Sequence, residues 1–414
     1  SGMVDTLMLS AVGDYAVGAV GTANSYIGIF IIMFSIISSG MVSVMTQNIG
    51  AGRPGVAYQA RQLGLLFNAV AGVLMAVFLF SGAGAILRMV GIADALYEPA
   101  LIYLKIVGGG CILNAVIPIF SSYLRAFGYT KQPLYATIVG NIANFVMNAV
   151  FLFVLHKGVA GVATATVISK ILNLCIVLYF SHKLISAKNS TERIANKTVL
   201  GQIVKVGLPS ACETALYNVA MMLVIRFLNQ MDAEGLNVTA RSYTATISNF
   251  SYCVGAALAQ ANAIMTGWHI GAGELEECDR GTKRAAFVGV CVAVCMETAI
   301  VLGSGFIMPL FTDNPEMTAL VRKLLAIDIV LEIGRVTNLV FGQALKTSGD
   351  AVFPAVIAAV FMFVFAVGGT WLFGISMGLM AVGAYIGLAS DECVRAVGMV
   401  WRWKTGKWRT KKLV

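Results

Sequence analysis

The chain has 414 residues, 58% of them apolar and 12% charged, with a formal net charge of +9 and a mean hydropathy of +0.83. Soluble domains carry roughly 45–50% apolar and about 25% charged residues, so a water-soluble globular protein is excluded. The positive charge does not point to nucleic acid, because the basic residues lie between and after long apolar stretches, where they act as membrane-orientation signals.

Tyr15–Gly52, Gln62–Leu87, Gln132–His156, Ser242–Gly273 and Ala351–Ser390 contain no Asp, Glu, Lys or Arg, and Ala285–Thr312 reads as a further apolar run. About 20 apolar residues in a helix cross a hydrocarbon layer roughly 30 Å thick, whereas barrel strands would be about 10 residues long and alternate polar with apolar. The runs therefore predict helices. In chain order they fall at 1–12, 16–47, 61–87, 100–126, 132–155, 159–183, 204–230, 237–267, 282–311, 319–347, 351–373 and 378–401. The first would rise only about 18 Å, so the chain is expected to begin partway through its first span. No cleavable signal peptide is expected, since Asp5 interrupts the apolar pattern with no basic segment before it.

Lys and Arg concentrate after the even-numbered spans, as at Arg53, Arg61, Arg125, Lys131, Lys183, Arg193, Arg280, Lys283 and Lys346, and in the tail from Arg402 to Lys412. Odd-numbered spans are followed by mixed charges such as Asp94, Glu98, Lys157, Asp232 and Asp313. Both termini are therefore expected in the cytoplasm, and the short loops suit a multi-pass protein of a prokaryotic inner (plasma) membrane. Trp401, Trp403 and Trp408 beside the basic tail read as an interfacial anchor.

An internal repeat divides the chain. Ile49-Gly50-Ala51-Gly52 matches Ile270-Gly271-Ala272-Gly273, and Leu124, Gly128 and Pro133 match Leu345, Gly349 and Pro354, both at an offset of 221. An offset spanning an even number of helices makes the repeats parallel, an arrangement found in secondary transporters. The expected organisation is an N-lobe at 1–185, a polar basic linker at 186–199, a C-lobe at 200–401 and a basic cytoplasmic tail at 402–414.

The chain resembles the multidrug and toxic compound extrusion transporters over essentially its whole length. The resemblance rests on Met3-Val4-Asp5, on Gln47-Asn48-Ile49-Gly50-Ala51-Gly52, and on the turn from Leu124-Arg125-Ala126 to Pro133. It continues in Asn144-x-x-x-Asn148, Gly161-Val162-Ala163-Thr164-Ala165-Thr166 and Gly207-Leu208-Pro209. The resemblance implies an all-α polytopic membrane protein of twelve transmembrane helices, the first incomplete, in two six-helix lobes around a V-shaped central cleft. It also implies a cation-coupled antiporter.

Ionisable groups inside spans cost about 2.5–3.5 kcal/mol at a helix centre and mark functional sites by default. Asp5 is the first, in a span whose restored length would place it near the middle. Asn141, Asn144 and Asn148 share one helical face, suited either to interhelical hydrogen bonding or to supplying oxygens to a small cation. The resemblance implies an N-lobe ion or proton site at Asp5, Asn144, Asn148 and Thr166, with Asn148 standing where the family carries an acid. In the second half Glu213 follows Pro209 by four residues, and Asp328, Glu332 and Arg335 share a face of the tenth span. These four are expected either to form a C-lobe coupling site or, for Glu332 and Arg335, to bridge and fix helix packing. The repeat-equivalent positions carry Val107, Cys111 and Asn114, so the halves differ chemically. Met221, Met222, Phe250 and Tyr252 are candidates for an adaptable apolar substrate surface, with ordinary packing the alternative.

The eight cysteines lie mostly in apolar runs without metal or disulfide spacing, and no nucleophile elbow, metal-spaced His/Asp group or phosphate-binding Gly-Lys loop is present. The expected activity is therefore not enzymatic, and no catalytic residue, metal or cofactor is assigned. The chain is expected to act as a monomer that exports organic, cationic or amphipathic small molecules in exchange for H⁺ or Na⁺. Its partners are the substrate, the coupling cation and the lipid bilayer. A lipid-linked oligosaccharide flippase and a non-transporting scaffold are the alternatives.

Overall fold

The computed structural model describes residues 8–9, 14–89, 92, 94–185, 192–232 and 234–414. Among these the regular structure is entirely helical, with twelve α-helices. They are α1 (Asp14–Gly50), α2 (Pro54–Met89), α3 (Asp94–Gly109), α4 (Cys111–Ala126), α5 (Lys131–Ala149), α6 (Gly158–Leu184), α7 (Asn196–Met231), α8 (Leu236–Ala272), α9 (Leu275–Ile307), α10 (Pro315–Ser348), α11 (Val352–Phe361) and α12 (Met380–Lys404). Of the expected first span, only Met8 and Leu9 are described, both helical and buried; Asp5 lies outside the described residues.

The fourth span is not the single helix expected at 100–126. It starts at Asp94 and bends by 40° at Gly110, between α3 and α4. Counting this pair as one span, up to eight described segments are long and apolar enough to cross a membrane. The helices α8, α10 and α12 are not among them. Their polar content gives the reason: α10 carries Asp328, Glu332 and Arg335, and α12 carries Asp391, Glu392 and Arg395. Such groups are tolerated at membrane depth when they face a protein interior rather than lipid.

The described helices form two compact units. One comprises the described residues of 1–45 and 53–207, the other 46–52 and 208–414. In the first, α2 packs on α3 and α4, α5 on α6, and α6 on α3 and α4. Its core includes Leu79, Leu87, Tyr103, Leu104 and Val107. In the second, α10 is the central helix, packed against α8, α9 and α12. A layer at one end of this unit closes it: Trp403 stacks on Trp408 at 4.1 Å, Arg402 makes two bonds to Asp350 at 2.7 and 3.1 Å, and Leu413 N–H donates to Gln47 Oε1 at 2.7 Å. At the α7–α8 turn, the Asp232 carboxylate accepts from Leu236 and Asn237 N–H at 2.8 and 3.0 Å. Slight burial pushes the Asp232 carboxyl up, but hydrogen bonds from Asn237, Leu236 and Gly235 outweigh it and hold the group below its ordinary value.

The sequence repeat has a backbone counterpart. Left-handed residues recur at Gly52 (φ 73°) and Gly273 (78°), and at Gly128 (85°) and Gly349 (100°), the offset again being 221. A further pair of turns matches at an offset of 222, His156 and Gly158 against Gly378 and Met380. The helices before those turns both widen into π geometry, at Val150–Val154 and Thr370–Ser376. Each half thus ends equivalent helices in left-handed turns, with glycine on both sides of the first two pairs and on one side of each position in the third.

A close helix crossing depends on the repeated Ile-Gly-Ala-Gly motif. The end of α1 meets α8 so tightly that a Cβ on Gly271 would overlap the Gln47 carbonyl, and one on Gly50 would overlap the Trp268 carbonyl. The contact is reciprocal, since adding 221 to 47 and 50 gives 268 and 271. Small residues permit such backbone approach in membrane helices. Gly271→Ala should therefore destabilise the protein by about 1–3 kcal/mol. Gly281→Ala on α9, where a Cβ meets nothing within 4 Å, should be neutral or stabilise by about 0.5–1 kcal/mol through helix propensity. Thermal unfolding in detergent, followed by size-exclusion chromatography, should show shifts of opposite sign.

Candidate functional site

The polar groups of the second unit converge because each recurs at helical spacing on its own element. On α10, Asp328, Glu332 and Arg335 stand at i, i+4 and i+7; on α7, Glu213, Tyr217 and Met221 are spaced by four. From α8 come Arg241, Ser248, Ser251 and Tyr252, from α9 Glu297, and from α12 Asp391, Glu392 and Arg395. Two adjoining cavities open among them, of about 310 and 210 Å³. They share Tyr217, Tyr252, Arg335 and Glu392 as walls. The larger is also lined by Met221, Arg241, Asp328 and Tyr385, the smaller by Glu213 and Arg395.

Most of the charges are paired. Arg335 donates to Glu332 one turn earlier and approaches Glu392 Oε1 at 3.6 Å. Arg395 forms two bonds to Asp391, at 3.0 and 2.8 Å, and reaches Glu392 Oε1 at 2.9 Å. Asn338 Nδ2 donates to Glu392 Oε2 at 3.0 Å. Lys346 Nζ lies 2.7 Å from Glu213 Oε2. Asp328 and Glu297 are the exceptions: 2% and 0% exposed, neither takes part in an ion pair among the described residues. Asp328 Oδ2 and both Glu297 oxygens have no hydrogen-bond partner there.

The sequence candidates fall as follows. Asp328, Glu332 and Arg335 are brought together, and Glu213 lines the adjoining cavity, bound to Lys346. Met221 and Tyr252 line the larger cavity, with the Arg335 guanidinium 5.7 Å from the Tyr252 ring centre. Met222 and Phe250 lie instead on exposed helix surface, at 70% and 72%. In the first unit Asn144 and Asn148 are both buried, with Asn148 Nδ2 3.5 Å from Asn144 Oδ1. Thr166, also buried, donates to Val162 O on its own helix at 2.9 Å. Lys170 Nζ donates to Asn114 Oδ1 at 2.8 Å, so the position equivalent to Arg335 holds a neutral acceptor facing a lysine from α6.

Five charged residues of the cluster escape the sequence reading, and the first, Arg241, sits directly before the uncharged run that opens at Ser242. Glu297 lies inside 285–312, a stretch read as an apolar run although it holds this acid. Asp391, Glu392 and Arg395 follow directly on the uncharged run that ends at Ser390. Their signal was available: an acid inside a long apolar run, and an i, i+3, i+4 acid–Arg pattern within a helix projected to 401.

The chain matches the MatE family model over residues 1–150 and 209–372. It is 32% identical to the uncharacterized transporter YisQ of Bacillus subtilis (strain 168), over 99% of this chain and 91% of that protein. The probable multidrug resistance protein NorM of Thermotoga maritima is 20% identical over 100% of this chain and 90% of its own. A crystal structure of MATE in the straight conformation superposes with a TM-score of 0.87 at 21% identity, covering 98% of this chain and 92% of that one. The protein therefore belongs to the MatE family, and is a multi-pass membrane transporter.

The buried Asp391–Arg395–Glu392 triad allows a test of the packing. Removing one member of a buried ion pair strands its partner at a cost of about 3–5 kcal/mol, whereas removing both sides is often neutral. Arg395→Met should lower the melting temperature sharply, and the triple variant Asp391→Asn, Glu392→Gln, Arg395→Met should recover most of the loss. Equal melting temperatures for the two would contradict the pairing.

Proposed function

We propose that the protein is a secondary active antiporter that exports organic compounds, cationic or amphipathic, in exchange for H⁺ or Na⁺, and that Asp328 carries the coupling cation. The observation that carries this reading is the Asp328 carboxyl, without an ion pair among the described residues, on the wall of the larger cavity, whose other acids, Asp391 and Glu392, are paired with Arg395 and Arg335. An ionised carboxylate in that setting is costly unless a cation sits with it. The same cavity offers Tyr217, Tyr252, Tyr385 and Met221, aromatic and thioether surface suited to an organic cation. Substrate and coupling cation then compete for one negative charge. Binding of the cation neutralises Asp328 and expels the substrate; binding of the substrate releases the cation. Alternation between two access states converts this competition into exchange.

The N-lobe set of Asp5, Asn144, Asn148 and Thr166 is secondary in this reading, because Asn148 and Asn144 already face one another as neutral groups. The basic loops support a plasma-membrane location with both termini in the cytoplasm. The multidrug-resistance name of the Thermotoga relative supports export of small organic molecules, and a monomer without a cofactor is part of the same proposal.

The test is efflux of tetraphenylphosphonium from proteoliposomes under an imposed pH or sodium gradient. Asp328→Asn should lose gradient-driven efflux at least about tenfold, corresponding to about 1.4 kcal/mol of coupling, while Asp5→Asn retains it. The gradient that drives wild-type efflux identifies the coupling cation. Equal coupling in Asp328→Asn and wild type would contradict the assignment, and no wild-type efflux under either gradient would favour a flippase or a non-transporting protein.

A further inference from the structure

Glu297 is fully buried on α9 and absent from the walls of both cavities. The groups that face it are known from each neighbouring helix. From α10, Asp328, Glu332 and Arg335 act on it, and from α8 the Ser251 hydroxyl lies within its hydrogen-bonding reach. On α9 itself the nearest basic residue, Arg284, is more than three helical turns away. Arg335, the cation that acts on it from α10, is already committed to Glu332 and Glu392.

A hydrogen-bond account of this corner comes up short of donors. Among the described residues, four carboxyl oxygens there lack a partner: both of Glu297, Oδ2 of Asp328 and Oε2 of Glu332. Two hydroxyls beside them, Ser248 and Ser251, are also unsatisfied, and at most they supply two donors to four acceptors. Buried polar atoms left without partners cost about 1–3 kcal/mol each, and more when charged. One added proton converts Glu297 from an uncompensated anion into a neutral acid with a donor of its own, able to bond Ser251 or Asp328. Ser248 and Asp328 line the cavity, so they connect this interior group to the water-accessible space.

We infer that Glu297 is a second, hidden proton-binding group of the transporter, exchanging its proton with the cavity through Asp328. The inference rests on the antiport reading above for its role in the cycle, but not for its first observable. In the transfer, the Glu297 O–H bond breaks as an O–H bond forms on the Asp328 carboxylate. Asp328 then gives the proton to cavity water, leaving Glu297 ionised beside the Ser251 hydroxyl. With two such carboxyls, an organic cation arriving beside Asp328 can displace more than one proton, which would make the exchange electrogenic.

Infrared difference spectroscopy of the purified full chain, in H₂O and D₂O at neutral pH, reads this directly. Wild type should show the carbonyl stretch of a protonated carboxylic acid, shifted by deuterium and lost in Glu297→Gln. Adding tetraphenylphosphonium should remove the same band. Ser251→Ala should shift its frequency without abolishing it, which keeps the test informative if Glu297→Gln aggregates. A Glu297→Gln difference spectrum showing loss of ionised carboxylate stretches instead would overturn the inference, as would a band indifferent to tetraphenylphosphonium at every pH, the mark of a merely structural proton. Failure of the antiport reading is separately visible, as wild-type proteoliposomes that ignore both gradients.

Discussion

Five carboxyl groups and three guanidinium groups share the interior of one helical unit, and in a low-dielectric setting that imbalance has to be neutralised. Glu297, Asp328, Glu332, Asp391 and Glu392 stand against Arg241, Arg335 and Arg395, with Glu213 and Lys346 matched separately. Every isolated ion at this depth carries a solvation penalty of several kcal/mol. The helices therefore arrange the guanidiniums to serve several carboxyls at once, Arg335 between Glu332 and Glu392, Arg395 between Asp391 and Glu392. Asp328 and Glu297 are left over, and a transporter that must bind and release a cation has use for a carboxyl without a permanent partner.

The position of α10 follows from the same constraint. It bears three of the charged groups on one face and is packed on three sides by α8, α9 and α12, so its charges face protein rather than lipid. The corresponding region of the other half has Val107, Cys111 and Asn114, with a lysine contributed by α6. One ancestral arrangement of helices thus carries an acidic cluster in one unit and a nearly neutral polar set in the other. The shared backbone features, Gly52 with Gly273 and Gly128 with Gly349, are those that close helices; the differing ones are those that hold ions.

Much of this was legible in the sequence. Apolar runs of membrane length define the helices, because an uninterrupted span that long satisfies its own backbone polar groups in hydrocarbon only as a helix. The Ile-Gly-Ala-Gly repeat marks a real structural repeat, because its glycines are needed where two backbones touch. The face formed by Asp328, Glu332 and Arg335 follows from helical periodicity. The bend at Gly110 was not legible, since a single glycine in an apolar run is compatible with a straight helix or a broken one. Which acids remain unpaired was also beyond the sequence: Glu213 and Asp328 look alike as intramembrane acids, and only tertiary packing brings Lys346 into an ion pair with one and leaves the other without one among the described residues. Glu297 shows the converse, a lone acid whose significance appears only when α8 and α10 are set beside it.

In this reading the unit carries exchangeable cations on the two carboxyls that have no ion pair among the described residues, Asp328 and Glu297. The most direct measurement is a count of protons released, in unbuffered detergent solution with an indicator dye, as saturating tetraphenylphosphonium binds the purified protein. The account predicts release on binding to wild type and none per bound probe in the double variant Asp328→Asn, Glu297→Gln. Equal release from the two proteins would contradict it.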